Sequence, residues 1–374
     1  MRRSNATTLK DVALAAGVAK MTASVVLNGA RSGTQVSEAT RARILEAAQR
    51  LGYRPNGVAR GLSRRRMDAL GVVALVNEGA GLNLYFLEIF NGILEAATHH
   101  GQSASVFGIS SWWGEARHAD LLRLCDGRVD GLIFLGPHRL DPTFIASVQQ
   151  HTPLVAIHAE EAPPSLYNVD VDNEGGMYAA TRHLIELGHR RIAHLAGSTS
   201  PALPEAGARE RLAGYRRALE EAGLPFDPAL VPEGYYVESS GLERTQRLLD
   251  APGPLPTAFC CANDAIAVGC LEALRARGLR VPEDVSVTGF DGVLTSQVLT
   301  PPLTTVRQPL PELGRRAVEL LLHQIHNASE GGEDTDDGPR DASTSESRTE
   351  VWPVELVIRG STASPPARPA SHRS

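Results

Sequence analysis

Arg211, Asp172, Asp264 and Asp291 are charged, and Asn77, His158 and Asn263 are polar, at points where apolar runs of the chain come to an end. With Tyr85 and Phe86 they supply acids, amides, a guanidinium and two aromatic faces. That mixture suits a polyhydroxylated small molecule such as a sugar, whose hydroxyls donate and accept while its ring lies on an aromatic face. Each residue alone has a plainer role open to it. Asp264 could cap a helix over residues 265–277, Arg211 could form a structural ion pair, and Asp291 could shape a turn. Catalysis has little foothold here. The chain has no P-loop, no GxSxG and no HExxH, and His99, His100, His183, His189 and His194 are spaced for helix and strand surfaces rather than for metal. No enzyme activity, cofactor or metal is expected.

A second kind of chemistry is concentrated at the start of the chain. Residues 1–66 hold thirteen Lys and Arg against Asp11, Glu38 and Glu46, a net of +10. The whole chain is −6, so the remainder carries −16. A polyanion can bind the first part by displacing counterions and is repelled by the second. The basic segment also has a helical plan. Thr8 can cap a helix with Asp11 three residues on, and Leu9, Val12, Ala13 and Ala16 recur at helical spacing up to Gly17. A second short helix reads Lys20-Met21-Thr22-Ala23-Ser24-Val25-Val26-Leu27-Asn28, and a third runs from Ser37 to Gly52. Two short helices across a glycine turn make a helix-turn-helix, whose second member enters the DNA major groove. A small bundle with a solvated basic face is the alternative.

From Ala69 onward, aliphatic runs alternate with amphipathic helical stretches, the pattern of parallel sheets with right-handed crossovers. About 290 residues exceed one comfortable sheet, so two doubly wound halves are expected, with ligand beyond the carboxyl ends of the strands. The apolar runs are strand-length, well short of a membrane span, and no secretory pattern opens the chain; a cytoplasmic protein is expected. Cys125, Cys260, Cys261 and Cys270 show no CxxC spacing and read as reduced thiols. Trp112 and Trp113 could stack on a ligand ring, but a role covering the core is preferred.

The ordered set Thr8-Leu-Lys-Asp-Val-Ala-Leu-Ala-Ala-Gly-Val, Thr22-Ala-Ser24, Val26-Leu-Asn28-Gly, Val36-Ser37, Thr40-Arg41 and Leu51-Gly-Tyr53-Arg-Pro55-Asn56, with Ala59-Arg60-Gly-Leu62, resembles the LacI/GalR family of bacterial transcription regulators. The resemblance continues through the sensor core. It implies an all-α helix-turn-helix head of the lambda-repressor type, followed by an α/β core of the periplasmic-binding-protein type 1 fold. It places Lys20, Met21 and Val25 at base-reading positions, and Thr8, Thr22, Ser24, Asn28, Ser37 and Thr40 at helix ends or phosphates. Asn56, Ala59, Arg60 and Leu62 match the family's hinge helix, which lies in the minor groove with a leucine wedged into the central base step. Glycines and short length make a helix over residues 55–64 marginal alone, so it is expected to fold only on DNA. A flexible basic linker is the alternative. Two departures stand out: Ala19 where relatives often place a capping Ser, and Val25, which cannot make a bidentate guanine contact.

In the core the resemblance implies that Arg211, Asp264 and Asp291 contact effector. Domain limits are expected at 1–52 for the head, 53–68 for the hinge and 69–360 for the core. One half takes about 69–163 and 295–326, and the other about 165–292 and 351–360. The chain would cross between halves near 162–166, 291–296 and 325–352. Residues 327–350 are rich in acids, Ser, Thr and Gly and read as a disordered insertion, and 361–374 as a disordered tail without a leucine heptad. The expected partners are double-stranded operator DNA, a carbohydrate-like effector and a second copy of the chain, since a two-fold operator needs two reading heads. A solute-binding protein of the same core fold, without DNA function, is the alternative.

Overall fold

The computed structural model describes residues 7–28, 35–54, 60–61, 64, 66–75, 83–109, 115–136, 141–200, 207–329 and 347–367. Among the described residues the head has three helices, α1 (Leu9–Ala15), α2 (Lys20–Asn28) and α3 (Glu38–Arg50). Thr8 and Asp11 close a capping box: the Thr8 Oγ1 accepts from the Asp11 N–H at 3.4 Å and the Asp11 carboxylate accepts from the Thr8 N–H at 2.9 Å. Gly17, at φ +64°, provides the left-handed step that turns α1 into α2. The buried core of the head is small, consisting of Val12, Ala13, Ala16, Ala23, Ile44, Ala47 and Ala48.

The remainder builds two lobes. Elements follow in the order β1 (Ala69–Leu75), α4 (Leu84–His99), β2 (Ser103–Ile109), α5 (Glu115–Leu122), β3 (Gly131–Leu135), α6 (Pro142–Gln149), β4 (Leu154–Ile157), β5 (Tyr167–Val171), α7 (Asn173–Glu186), β6 (Ile192–Gly197), α8 (Ala208–Glu221), β7 (Glu233–Gly234), α9 (Glu238–Asp250), β8 (Ala258–Cys261), α10 (Asp264–Ala276), β9 (Ser286–Asp291), α11 (Leu294–Val298), β10 (Thr304–Arg307), α12 (Leu310–Ser329), β11 (Thr349–Trp352) and β12 (Glu355–Val357). One sheet has the order β11-β5-β4-β3-β1-β2 and is parallel throughout. The other has the order β12-β10-β9-β8-β6-β7, with β12 alone antiparallel to its neighbour β10. Both faces of each sheet are covered by helices, as buried parallel strands require. On the first sheet, Gly92 of α4 meets the Pro311 backbone and Gly314 of α12 meets that of Ile89, so a side chain at either position would force these helices apart.

The lobes meet where the chain crosses between them, and here the expected positions fail. The first crossing follows Val171, not residues 162–166, because β5 pairs with β4 and adds a strand before the chain leaves. The second lies between Arg307 and Leu310, not at 291–296, because β10 must first pair with β9. The third lies between Trp352 and Glu355, just beyond the expected 325–352, because β11 completes the first sheet beside β5. First and third crossings run side by side, with the Asp172 N–H donating to the Trp352 carbonyl at 2.9 Å.

Two expectations of disorder are corrected at their edges. Residues 327–329 complete α12, and Glu350 lies in β11, where its carboxylate accepts from the Arg316 guanidinium at 2.8 and 2.9 Å. Residues 330–346 lie outside the described residues. The start of the tail is docked. Ser361 is fully buried, its hydroxyl donating to the Val287 carbonyl at 2.6 Å and accepting from the Thr304 N–H at 2.8 Å. The His189 ring lies 2.9 Å from the Ala363 carbonyl. Buried backbone at the starts of β9 and β10 needs partners, and the tail supplies them. The 20-residue α12 and the eight-residue α6 are elements that the sequence pattern did not single out.

Candidate functional site

The strand ends of both lobes converge on one cleft. In the second lobe, Arg211 sits one turn inside α8, whose first turn follows Gly207 at φ +69°. Its side chain is buried. Nε donates to Asn173 Oδ1 at 2.9 Å, and Nη1 donates to the Ala262 carbonyl at 2.6 Å and stands 3.8 Å from Asp291 Oδ1. The guanidinium lies 3.8 Å from the centre of the Phe290 ring and 5.4 Å from that of Tyr236. Burial opposes its charge, and Tyr236, Asp291, Tyr85 and Asp170 more than offset that.

Asp291 ends β9 at φ +113°, a conformation that ordinary residues rarely hold and that recurs at functional sites. Its carboxylate accepts from Gln308 Nε2 at 2.8 Å. Burial pushes its pKa up to about 7, against the pull of Arg211 and the Gln308 hydrogen bond. Asp264 is turned inward. It accepts from the Gly292 N–H at 2.9 Å, the Val293 N–H at 3.1 Å and the Thr305 hydroxyl at 2.5 Å. Burial, then the charge of Asp291, raises its carboxyl well above the usual range. Asp264 therefore holds the loop that presents Asp291.

The first lobe contributes His158, Asp170, Tyr85 and Phe86. His158 follows β4 at φ +56°, with Nδ1 2.8 Å from Asp170 Oδ1 and its ring centre 5.9 Å from that of Tyr85. Its Nε2 is buried and has no hydrogen-bond partner among the described residues. Asn83 caps α4 by accepting from the Phe86 N–H at 3.2 Å, which places Tyr85 and Phe86 on the first turn, their rings edge-on at 5.4 Å. The Tyr85 hydroxyl is held well above its ordinary pKa by burial and by the charges of Asp291 and Asp170, while Arg211 pulls the other way. Charges of the second lobe thus act on a side chain of the first. Beside this cluster a cavity of about 470 Å³ is lined by His158, Glu160, Asn168, Asp170 and, from the second lobe, Gly207 and Glu210.

The sequence-predicted effector residues divide. Arg211, Asp291, His158, Tyr85 and Phe86 converge. Asn263 caps α10, accepting from the Ile266 N–H at 2.8 Å, and its amide points to the Tyr236 carbonyl at 3.5 Å. Asp172 is exposed and caps α7 through the Gly175 N–H at 2.7 Å, and its neighbour Asn173 is the residue that reaches Arg211. Asn77 lies outside the described residues, as do Trp112 and Trp113. Asp170, Tyr236 and Gln308 were not singled out. An acid within the apolar alternation of β5 was a usable signal for Asp170, but nothing in the order of residues marks Gln308.

In the head, Lys20 and Met21 are exposed at the start of α2, Met21 at 61%. Thr22, Ser24, Val25 and Thr40 are half-buried and Ser37 is exposed, its side chain capping α3. Asn28 is the last residue of α2. It is buried, its amide facing the Ser24 hydroxyl at 3.4 Å, and its carbonyl accepts from Arg64 Nε at 2.8 Å. Arg60 is half-buried, whereas Asn56, Ala59 and Leu62, and with them the hinge expectation, lie outside the described residues.

Comparison with known proteins identifies this architecture. Residues 8–56 match the family described as bacterial regulatory proteins, lacI family, and residues 181–362 match the periplasmic binding protein-like domain. The HTH-type transcriptional repressor PurR of Haemophilus influenzae is 35% identical over 359 residues, covering 96% of this chain and 99% of that protein. The chain belongs to the LacI family. The HTH-type transcriptional repressor CytR of Escherichia coli is 34% identical over 368 residues, 98% of this chain and 99% of its own. Among solved structures, the lac repressor dimer bound to operator and the anti-inducer ONPF shares 30% identity at a TM-score of 0.76, covering 96% of this chain and 100% of that one. The CelR–cellobiose complex shares 33% at 0.66, covering 95% and 99%. This LacI-family member is a DNA-binding transcription regulator with a small-molecule-sensing core. The lacI-type head sets aside a solute-binding protein without DNA function, and the curated relatives named are repressors rather than enzymes.

Proposed function

We propose that this protein is a repressor that grips a two-fold operator as a dimer and is controlled by a sugar or related polyhydroxylated metabolite bound between the lobes. One observation carries the reading: the buried Arg211–Asp291 pair of one lobe and Tyr85 with the His158–Asp170 pair of the other confront each other across the cleft. Such a site offers fixed donors and acceptors beside aromatic faces, and a ligand touching both lobes favours one lobe orientation by its differential contacts. The cellobiose-bound CelR relative supports a carbohydrate. Lys20, Met21 and Val25 are assigned to base edges, with Thr8, Thr22, Ser24, Ser37 and Thr40 at phosphates or helix ends.

Dimer formation has a surface to use. Leu84, Leu87 and Leu94 of α4 and Leu294 and Val298 of α11 are 38–72% exposed, and Glu88 accepts from the Leu294 N–H at 3.0 Å, joining both helices into one apolar face. No single helix is long and apolar enough to cross a membrane among the described residues. A chromosome-bound regulator acts in the cytoplasm.

Mobility shift of DNA upstream of the protein's own gene, with and without a panel of mono- and disaccharides, tests the whole reading. Retardation is expected, with at least one sugar changing the operator affinity tenfold or more. Equal retardation by a fragment lacking residues 1–66 would overturn the role of the head, and a panel without effect on mobility or titration heat would overturn the sugar.

A further inference from the structure

The loop after β4 carries two residues in the left-handed region, His158 at φ +56° and Glu161 at φ +50°. Backbone strain of this kind persists where the surrounding structure demands a particular side-chain direction. His158 faces Asp170 within its own lobe. Glu161 faces the other lobe, where its carboxylate accepts from Nη1 of Arg209, on the first turn of α8, at 3.1 Å. Nε of the same guanidinium stands 3.9 Å from Glu160, whose side chain is only 3% exposed. Arg209 thus ties the first lobe to the second beside the cavity that Glu160, Glu161, Gly207 and Glu210 line.

We propose that the Arg209–Glu160–Glu161 bridge is a latch that holds the lobes closed without effector and so sets the open–closed balance on which effector acts. The physical reason lies in the difference between the two carboxylates. Glu161, 57% exposed, is solvated with or without Arg209, so its bond contributes modestly. Glu160 is dehydrated in this lobe arrangement, where it lines the cavity with Gly207 and Glu210 of the second lobe, and the guanidinium offsets part of that cost. Without Arg209 the closed form retains a buried carboxylate lacking this cation, and opening restores its water. The consequence for operator binding rests on the regulator reading above, but the latch itself does not.

The test needs neither DNA nor ligand. In full-length protein with the partly exposed Cys125 replaced by Ser, spin labels at Gln150→Cys and Glu220→Cys, both on exposed helix ends in different lobes, report the interlobe distance by double electron–electron resonance. Labelled chains are diluted with unlabelled chain so that each signal comes from one protomer. Wild type is expected to show one dominant distance. Arg209→Gln should lower the closed-to-open ratio roughly fivefold, Arg209→Glu further, and Arg209→Glu with Glu161→Arg should recover part of the loss. An unchanged distribution in Arg209→Glu, with circular dichroism showing native helix content, would overturn the latch, as would a charge swap no better than the single variant. Failure of the operator assay leaves these distances unaffected, so the two readings fail separately.

Discussion

The head and the cleft hold their candidate functional residues in opposite ways. Lys20 and Met21 stand exposed on α2, over a core of seven small buried residues. In the cleft, Arg211, Asp291, Asn173 and Gln308 are buried and bonded to one another, and Asp264 clamps the loop between them. The proposed reading face can therefore change one residue at a time with little cost to folding. A change in the cleft reaches its neighbours, because each buried polar atom removed strands another. The head is separable chemistry on a thin scaffold, and the cleft is coupled chemistry on a thick one.

The largest effect that would test this contrast is expected at Arg211. Arg211→Met leaves Asp291 buried without its cation and Asn173 without its donor, which should destabilise the core by about 3–5 kcal/mol. All three tryptophans lie beyond residue 100, so urea unfolding followed by tryptophan fluorescence reads the core alone. An Arg211→Met transition at the wild-type midpoint would show that the cluster is no more coupled than the head. Next is Ile44→Ala, which removes the largest side chain from the small core of the head at about 2–4 kcal/mol. Operator retardation should be lost while the tryptophan transition stays in place. Movement of both together would join the two regions into one cooperative unit.

A smaller effect comes from pH. Asp291 is raised from 3.8 to about 7 in the folded protein, so its contribution to stability is full below about pH 4 and is lost as pH rises toward 7. His194 works the other way. Buried neutral, with its pKa lowered from 6.5 to about 4, it contributes stability that is lost as pH falls through that window. The difference between wild type and Asp291→Asn isolates the first term. Wild type should lose stability relative to Asp291→Asn between pH 4 and 7, and parallel curves would place Asp291 outside the coupled cluster. Smallest is Ala19→Ser, which supplies the missing cap of α2. It should stabilise the head by about 0.5–1 kcal/mol, read as a higher melting temperature of far-ultraviolet circular dichroism in the head transition, with the core unmoved.

Much of the head was legible in order of residues. The Thr8–Asp11 box, Gly17, the helical stripe through Ile44 and the Ser37 cap all depend on neighbours within a turn or two. The cleft was legible only in part. Strand ends could be found, and with them Arg211, Asp291 and His158, but which side chains turn inward could not. The burial of Asn28 at the end of α2 could not be read from its neighbours, and Asp172 and Asn263 spend their oxygens on helix ends. Tyr236 and Gln308 join the site through elements far from Arg211 in sequence.

By itself the sequence determined what is periodic, local or additive: the alternation of strand and helix, the caps, and the separation of +10 from −16 that marks one end for a polyanion. Tertiary structure decided where the chain changes lobes, that β5 and β11 belong to the first sheet, that the tail at Ser361 is buried, and which carboxylates face Arg209 and Arg211. The reason is physical. A helix or strand is favoured by bonds between near residues, whereas the choice of lobe and of charge partner is made by burial, which depends on everything that excludes the water.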